Sequence, residues 1–248
     1  MKLKFIAASL FALSLSACQT NGSNLLDLGS QSVQIAMLSD ADVKTLSDQS
    51  CEQMDAQSTV APSNNAYTVR LNKITQSLGN EINGTKINYK VYLTNDVNAW
   101  AMANGCVRVY SGLMDKMTDN EIQGVLGHEL GHVALGHSKK SIQVAYGAQL
   151  ARGAIAASSN STIAALTQSQ LGDLAENVIN AQFSQKQETA ADNYSFDFLV
   201  QKGIDPIGIA TAFEKLGGGE ASLLSTHPAS SDRANNIRTK IAQLNKSK

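Results

Sequence analysis

His128, Glu129 and His132 stand in the order H-E-x-x-H, within Gly127-His128-Glu129-Leu130-Gly131-His132. On an α-helix, at ~100° per residue, positions four apart lie ~40° apart on one face. His128 and His132 can therefore aim two imidazole nitrogens at one ion. Glu129 is rotated off that line, placed to hold and deprotonate a water beside the ion, the division of labour of metal-assisted hydrolysis. Such a site needs a third protein ligand and an open fourth position. The longer pattern H-E-x-x-H-x-x-G-x-x-H does not supply it, because Leu135 and Ser138 stand where its Gly and His belong. His137 would lie ~140° around a continuous helix from His132, which reads as a helix-end residue beside the C-terminal dipole rather than a ligand. Downstream, Glu188-Thr189-Ala190-Ala191-Asp192 offers two carboxylates four apart on one helical face. The spacing suits Glu188 as the third ligand and Asp192 as acceptor of a ligating histidine's outer N–H. On spacing alone, an ordinary surface pair of acids is the better description. Ala190, Ala191, Phe196 and Phe198, however, draw this helix partly inside, where acids lacking a cation are costly.

Positioning these groups requires a helix through the motif. Thr118-Asp119-Asn120-Glu121 is a capping box that starts one. Ile122, Val125, Leu126, Leu130, Val133 and Ala134 then recur at helical spacing and define its buried stripe. Ahead of it, Ile87, Tyr89, Val91 and Leu93 alternate with polar neighbours, the pattern of a half-buried strand entered from the turn Asn83-Gly84. Asn98 to Ala103 and Cys106 to Tyr110 read as two further extended runs, separated by Asn104-Gly105, and Ser111 to Met117 as a short helical turn. Helices are expected over Val33–Met54, Ala66–Leu78, Leu171–Gln182 and Phe183–Lys202, the last stopped by Gly203. Two more run from Asp205-Pro206 to about Leu216 and from about Ser231 to Leu244. Ala145 to Thr167, rich in Ala, Ser, Asn and Gln, is a flap over the site, a loosely packed helical insert or a surface linker. No internal repeat marks a solenoid.

The N-terminus reads as an export signal. Met1-Lys2-Leu3-Lys4 is basic, and Phe5 to Ser16 is apolar but too short to span a bilayer as a mature helix. It ends in Leu15-Ser16-Ala17-Cys18, which resembles a bacterial lipobox, so residues 1–17 are expected to be a signal peptide and Cys18 a lipidated anchor. Gln19 after that cysteine favours the outer membrane. Residues 18–31 form a polar tether and 32–248 one domain, long enough for a substantial core. A net charge of −1 gives no basic field for nucleic acid, and 43% hydrophobic content is that of a globular chain. Of the three cysteines, Cys51 and Cys106 remain for a disulfide in an oxidising compartment. The bridge would join the N-terminal helical segment to the strand region; two buried free thiols are the alternative.

In order along the chain, five features match one family: Asn98-Ala99-Trp100-Ala101, Gly112-Leu113, the H-E-x-x-H motif, Glu188 to Asp192, and Thr226-His227-Pro228 with Arg233. They resemble the zinc metallopeptidases of the HtpX, BepA and LoiP group, gluzincin-type relatives of the Ste-type endopeptidases. The lipobox, the two spare cysteines and the lack of a repeat tail or membrane spans place the chain nearest the LoiP-like lipoprotein branch. The resemblance implies an α+β, zincin-like fold, mostly helical with a small β-sheet. It implies one Zn2+ per chain held by His128, His132 and Glu188, with Glu129 as general base and proton shuttle. His227 is implied near the site, as a hydrogen-bond donor to the oxyanion or as a structural turn residue before Pro228. Asp192 matches the family's supporting acid, and Arg233 pairs with a buried acid or makes an ordinary helix salt bridge. Asn98, Ala99, Trp100 and Ala101 match the edge strand that aligns a substrate backbone, with Trp100 alternatively plain core. The expected activity is endopeptidase hydrolysis of misfolded envelope proteins from a periplasm-facing lipid anchor, beside other envelope proteases and without nucleic acid. The alternatives are a chaperone-like or substrate-binding lipoprotein with a structural zinc, and a latent enzyme capped by one of its own segments.

Overall fold

In chain order, α1 (Asp40–Gln57) and α2 (Ala66–Leu78) precede a hairpin of β1 (Glu81–Ile82) and β2 (Thr85–Lys86). β3 (Asn88–Tyr92), β4 (Ala99–Ala101) and β5 (Cys106–Tyr110) follow, then α3 (Ser111–Lys116), α4 (Asp119–Ala134) and α5 (His137–Ala151). The rest is helical: α6 (Gln168–Ile179), α7 (Gln185–Gln201), α8 (Ile207–Leu216), α9 (Ser222–Thr226) and α10 (Ser231–Lys246). This computed structural model describes residues 38–153, 163, 165–216, 222–227 and 231–246. The signal peptide, Cys18 and the tether lie outside the described residues, as does the middle of the expected flap. Its start, from Ala145, is the end of α5. The mostly helical α+β architecture with a small sheet is the one expected. No helix among the described residues is long and apolar enough to cross a membrane.

The main sheet runs β3-β5-β4, with β3 parallel and β4 antiparallel to β5, which leaves β4 at an edge. α4 lies against it. Ile122, Val125, Leu126 and Leu130 are buried in one cluster with Leu71 and Ile74 of α2, Val107 and Val109 of β5, and Leu113 of α3. Each such side chain stabilises the fold by ~1.5–3 kcal/mol on transfer arguments. Thr118 caps α4 as anticipated: its hydroxyl accepts from the Glu121 amide at 3.3 Å, and Glu121 accepts from the Thr118 amide at 2.8 Å.

α4 carries glycine where α7 crosses it. A Cβ on Gly127 would meet Ser195 Oγ at 2.5 Å, and one on Gly131 the Ala191 carbonyl oxygen at 3.0 Å. Without side chains there, the two helices approach closely enough for acids on α7 to reach histidines on α4.

A second layer of α1, α5 and α6 packs through Val43, Leu46, Ile142, Tyr146, Leu150 and Leu174. Between the layers the Cys51–Cys106 disulfide joins α1 to β5, beside Tyr92, Trp100, Met102 and Ala175. Next to it Arg108, only 2% exposed, donates to both oxygens of Asp55 at 2.7 and 2.9 Å. β3 departs from the half-buried expectation here. Tyr92, on its nominally outward face, is buried because α1 covers it and Asp55 accepts its hydroxyl proton at 2.8 Å.

Candidate active site

α4, α7 and the residue after α9 bring four buried side chains to one point: His128, His132, Glu188 and His227 each offer a ligand atom within 4.8 Å of the others. His128 Nε2 and His132 Nε2 are 3.0 Å apart, Glu188 Oε1 is 3.3 Å from His132 Nε2, and Glu188 Oε2 is 3.5 Å from His128 Nε2. The outward nitrogens are occupied elsewhere. His128 Nδ1 is 2.8 Å from Asp192 Oδ1, so its proton sits there. The inward Nε2 atoms and a carboxylate thus converge on one point, a donor set suited to a divalent cation of borderline softness.

Arg233 on α10 holds the acids from behind. It donates to both oxygens of Asp192 at 2.7 Å, lies 2.6 Å from Glu188 Oε2, and stacks 4.1 Å over the Phe213 ring. Burial would raise the Glu188 pKa, but the His132 and His227 hydrogen bonds outweigh it and hold the carboxyl ionised far below its ordinary range. Asp192 is likewise lowered, burial being outweighed by Arg233 and His128. Glu129 differs. It is 3% exposed, its Oε1 has no hydrogen-bond partner, and burial pushes its pKa up. A buried carboxylate oxygen with no hydrogen bond, beside a metal-type donor set, can accept a proton from a water or return one.

His227, just after α9, reaches further in than a hydrogen-bonding neighbour would. Its Nδ1 is 3.2 Å from His128 Nε2 and 3.0 Å from Glu188 Oε1, while its Nε2 is 3.6 Å from Glu129 Oε1. Pro228 lies outside the described residues. Phe183, just before α7, stacks on the His132 ring at 3.9 Å between centroids. The sequence reading places Phe183 inside the helix, but Ser184 and Gln187 form a capping box that starts the helix after it.

β4 runs past Glu129. In the antiparallel register Trp100 opposes Arg108, and Asn98 and Met102 bond to β5. Ala99 and Ala101 therefore turn their backbone groups to the outer edge. There the Ala99 amide donates to Asn98 Oδ1 at 2.9 Å, and the Ala101 carbonyl accepts from Ser138 Oγ at 3.1 Å. The Trp100 side chain, 4% exposed, packs edge-on against Tyr92 at 6.0 Å, near the disulfide. The space bounded by Trp100, Ala101, Glu129, His132, Phe183 and His227 is about 20 Å³, enough for about one water molecule.

His137 requires a correction. α4 stops at Ala134, and Gly136, at φ +74°, turns the chain so that His137 opens α5. The ~140° separation of a continuous helix no longer applies, and His137 Nδ1 sits 3.0 Å from His132 Nδ1.

The family model for peptidase family M48 matches residues 65–241. The chain is 54% identical over 248 residues to Metalloprotease LoiP of Escherichia coli, covering 98% of each chain. It is 51% identical over 245 residues to Metalloprotease YcaL of the same organism, covering 96% of each. It is also 28% identical over 195 residues to the Escherichia coli beta-barrel assembly-enhancing protease, covering 71% of this chain and 39% of that one. The chain belongs to peptidase family M48. It is accordingly a metalloendopeptidase, and the helices that converge on His128, His132 and Glu188 belong to a zincin-like domain.

Proposed function

We propose that the chain is a zinc endopeptidase that cuts unfolded envelope proteins from a lipidated Cys18 on the periplasmic face of the outer membrane. The observation that carries the catalytic part is the convergence of the His128, His132 and Glu188 donor atoms beside the buried Glu129 Oε1, which has no hydrogen-bond partner. His128, His132 and Glu188 are the residues that would hold one zinc per chain. A bound zinc supplies Lewis-acid polarisation of the scissile carbonyl and of a water molecule. Glu129 takes the proton of the attacking water and passes it to the leaving amine. Asp192 and Arg233 keep the His128 ring and the Glu188 carboxylate in place. His227 is within reach to donate a hydrogen bond to the developing oxyanion. The outer edge of β4, through the Ala99 carbonyl and the Ala101 amide, pairs with an extended peptide by strand addition.

The anchor and the compartment rest on Leu15-Ser16-Ala17-Cys18 and the basic-apolar leader. The Cys51–Cys106 bridge supports the same reading, since such bonds persist in oxidising compartments. The same four-donor cluster also supports a reading with a structural metal and a chaperone-like role, since a structural site is closed by four protein ligands. The catalytic reading is favoured by Glu129: a closed structural site has no use for a buried carboxylate beside its donors whose Oε1 lacks a hydrogen bond.

The test is Glu129→Gln. The variant should keep its zinc by elemental analysis and lose ~10²–10⁴-fold in cleavage of an unfolded casein. Undiminished cleavage by a pure sample removes Glu129 from the mechanism. A wild type that binds zinc but cleaves nothing selects the chaperone-like reading.

A further inference from the structure

His137 is used by neither the donor set nor the proton shuttle. It lies 3.0 Å from the outer nitrogen of His132, and the two rings are 5.1 Å apart between centroids at 61°. A hydrogen bond between two Nδ1 atoms requires one to carry the proton and the other a lone pair. His132 points Nε2 at His128 and Glu188. For that nitrogen to offer a lone pair, the ring's proton must sit on Nδ1. His132 Nδ1–H then donates to His137 Nδ1, and His137 carries its own proton on Nε2. We infer that His137 is the positioning residue for His132. Its neutral imidazole fixes the tautomer and the ring plane that make His132 a ligand, the part Asp192 plays for His128.

The local chain shows why this residue can serve. Gly136 takes the left-handed conformation at φ +74°, closing α4 through its amide to the Val133 carbonyl at 3.1 Å. The next residue is then the first of α5, and its side chain faces back along α4. Phe183 stacks on the His132 ring face, so the ring is held in its plane by one contact and along its edge by the other. The two histidines are thereby supported unequally. His128 leans on a carboxylate that Arg233 neutralises, whereas His132 leans on an uncharged ring.

The inference rests on His132 being a metal ligand, and the experiment separates the two claims. Zinc affinity is read by competition with a chromogenic chelator for wild type, His132→Ala, His137→Leu and His137→Asn. Asparagine places an amide oxygen at the chain position of Nδ1, so it retains the acceptor; leucine fills similar space without one. His137→Leu should bind zinc ~10–100-fold more weakly, and His137→Asn should stay within a few-fold of wild type. Equal affinity of wild type and His137→Leu overturns the inference, as does an equal loss in His137→Leu and His137→Asn. Undiminished binding by His132→Ala overturns the ligand reading itself, and the inference with it. If the leucine variant does not fold, long-range nitrogen–proton NMR of the wild type decides. Protons on His132 Nδ1 and His137 Nε2 are expected, and the opposite tautomers refute the arrangement.

Discussion

Asp55 gives the sharpest test of how the second layer is fixed to the sheet. Its carboxylate accepts from Arg108 Nε at 2.7 Å and Nη2 at 2.9 Å, from Lys90 at 2.7 Å and from the Tyr92 hydroxyl at 2.8 Å. Burial alone would raise its pKa, but these partners outweigh burial and lower it from 3.8 to about 2. The side chains of Asp55 and Arg108 are 17% and 2% exposed, so solvent screens the pair little. A carboxyl so depressed on folding contributes about 2 kcal/mol near neutral pH. The sign follows from the direction. The contribution is complete above the unfolded value near 4, falls to about half by about pH 3, and vanishes below the folded value near 2. Asp55→Asn removes the charge at nearly constant shape and strands the Arg108 guanidinium. The variant should therefore lose about 2 kcal/mol or somewhat more near pH 7, lowering the melting temperature by ~4–8 °C. Urea unfolding of both proteins in chelator, so that metal release adds nothing, should show the gap halving by about pH 3. A gap that stays constant or widens on acidification refutes the assignment of this stability to the Asp55 charge.

Replacing Cys51 and Cys106 by serine frees a loop of 55 residues' separation, which the chain-entropy argument values at about 4 kcal/mol; equal unfolding midpoints for oxidised wild type and double variant refute it. Gly131→Ala puts a Cβ 3.0 Å from the Ala191 carbonyl oxygen, so α7 must move by a few tenths of an ångström. We expect a loss of ~1–3 kcal/mol together with weaker zinc binding, because Glu188 rides on α7. Unchanged affinity measured by chelator competition shows that the close approach of the two helices is not what sets the donor geometry.

The parts of this fold most legible in the sequence are those with a local cause. The Thr118–Glu121 capping box and the stripe from Ile122 to Leu130 place α4, and Asn83-Gly84 marks a turn, although the two-residue strands it joins are too short to show as a pattern. The starts of α6 and α7 are equally local, in the boxes Thr167–Gln170 and Ser184–Gln187. Apolar periodicity sets those boundaries differently, which folds Phe183 into the helix. The His137 contact is illegible for another reason. It depends on one glycine at positive φ: the sequence marks a helix end near His137, but not that Gly136 turns the chain so that His137 opens the next helix and faces back to His132. The reach of His227 into the donor cluster is likewise tertiary: nothing near Thr226 says how far α9 will tilt toward α4. Burial of Tyr92 and Arg108 depends on α1 crossing behind the sheet, a contact 37 residues or more away in sequence.

The donor groups come from widely spaced parts of the chain: two imidazoles on α4, a carboxylate on α7, and behind them the Arg233 guanidinium on α10. A polypeptide emerging N-terminus first presents both imidazoles long before it presents the carboxylate, and the guanidinium that steadies the acids arrives almost last. A chain truncated before α10 therefore owns the H-E-x-x-H signature without the guanidinium that steadies its acids. The site is therefore complete only once the last long helix has docked, so its assembly is tied to folding of the whole domain rather than of the motif helix.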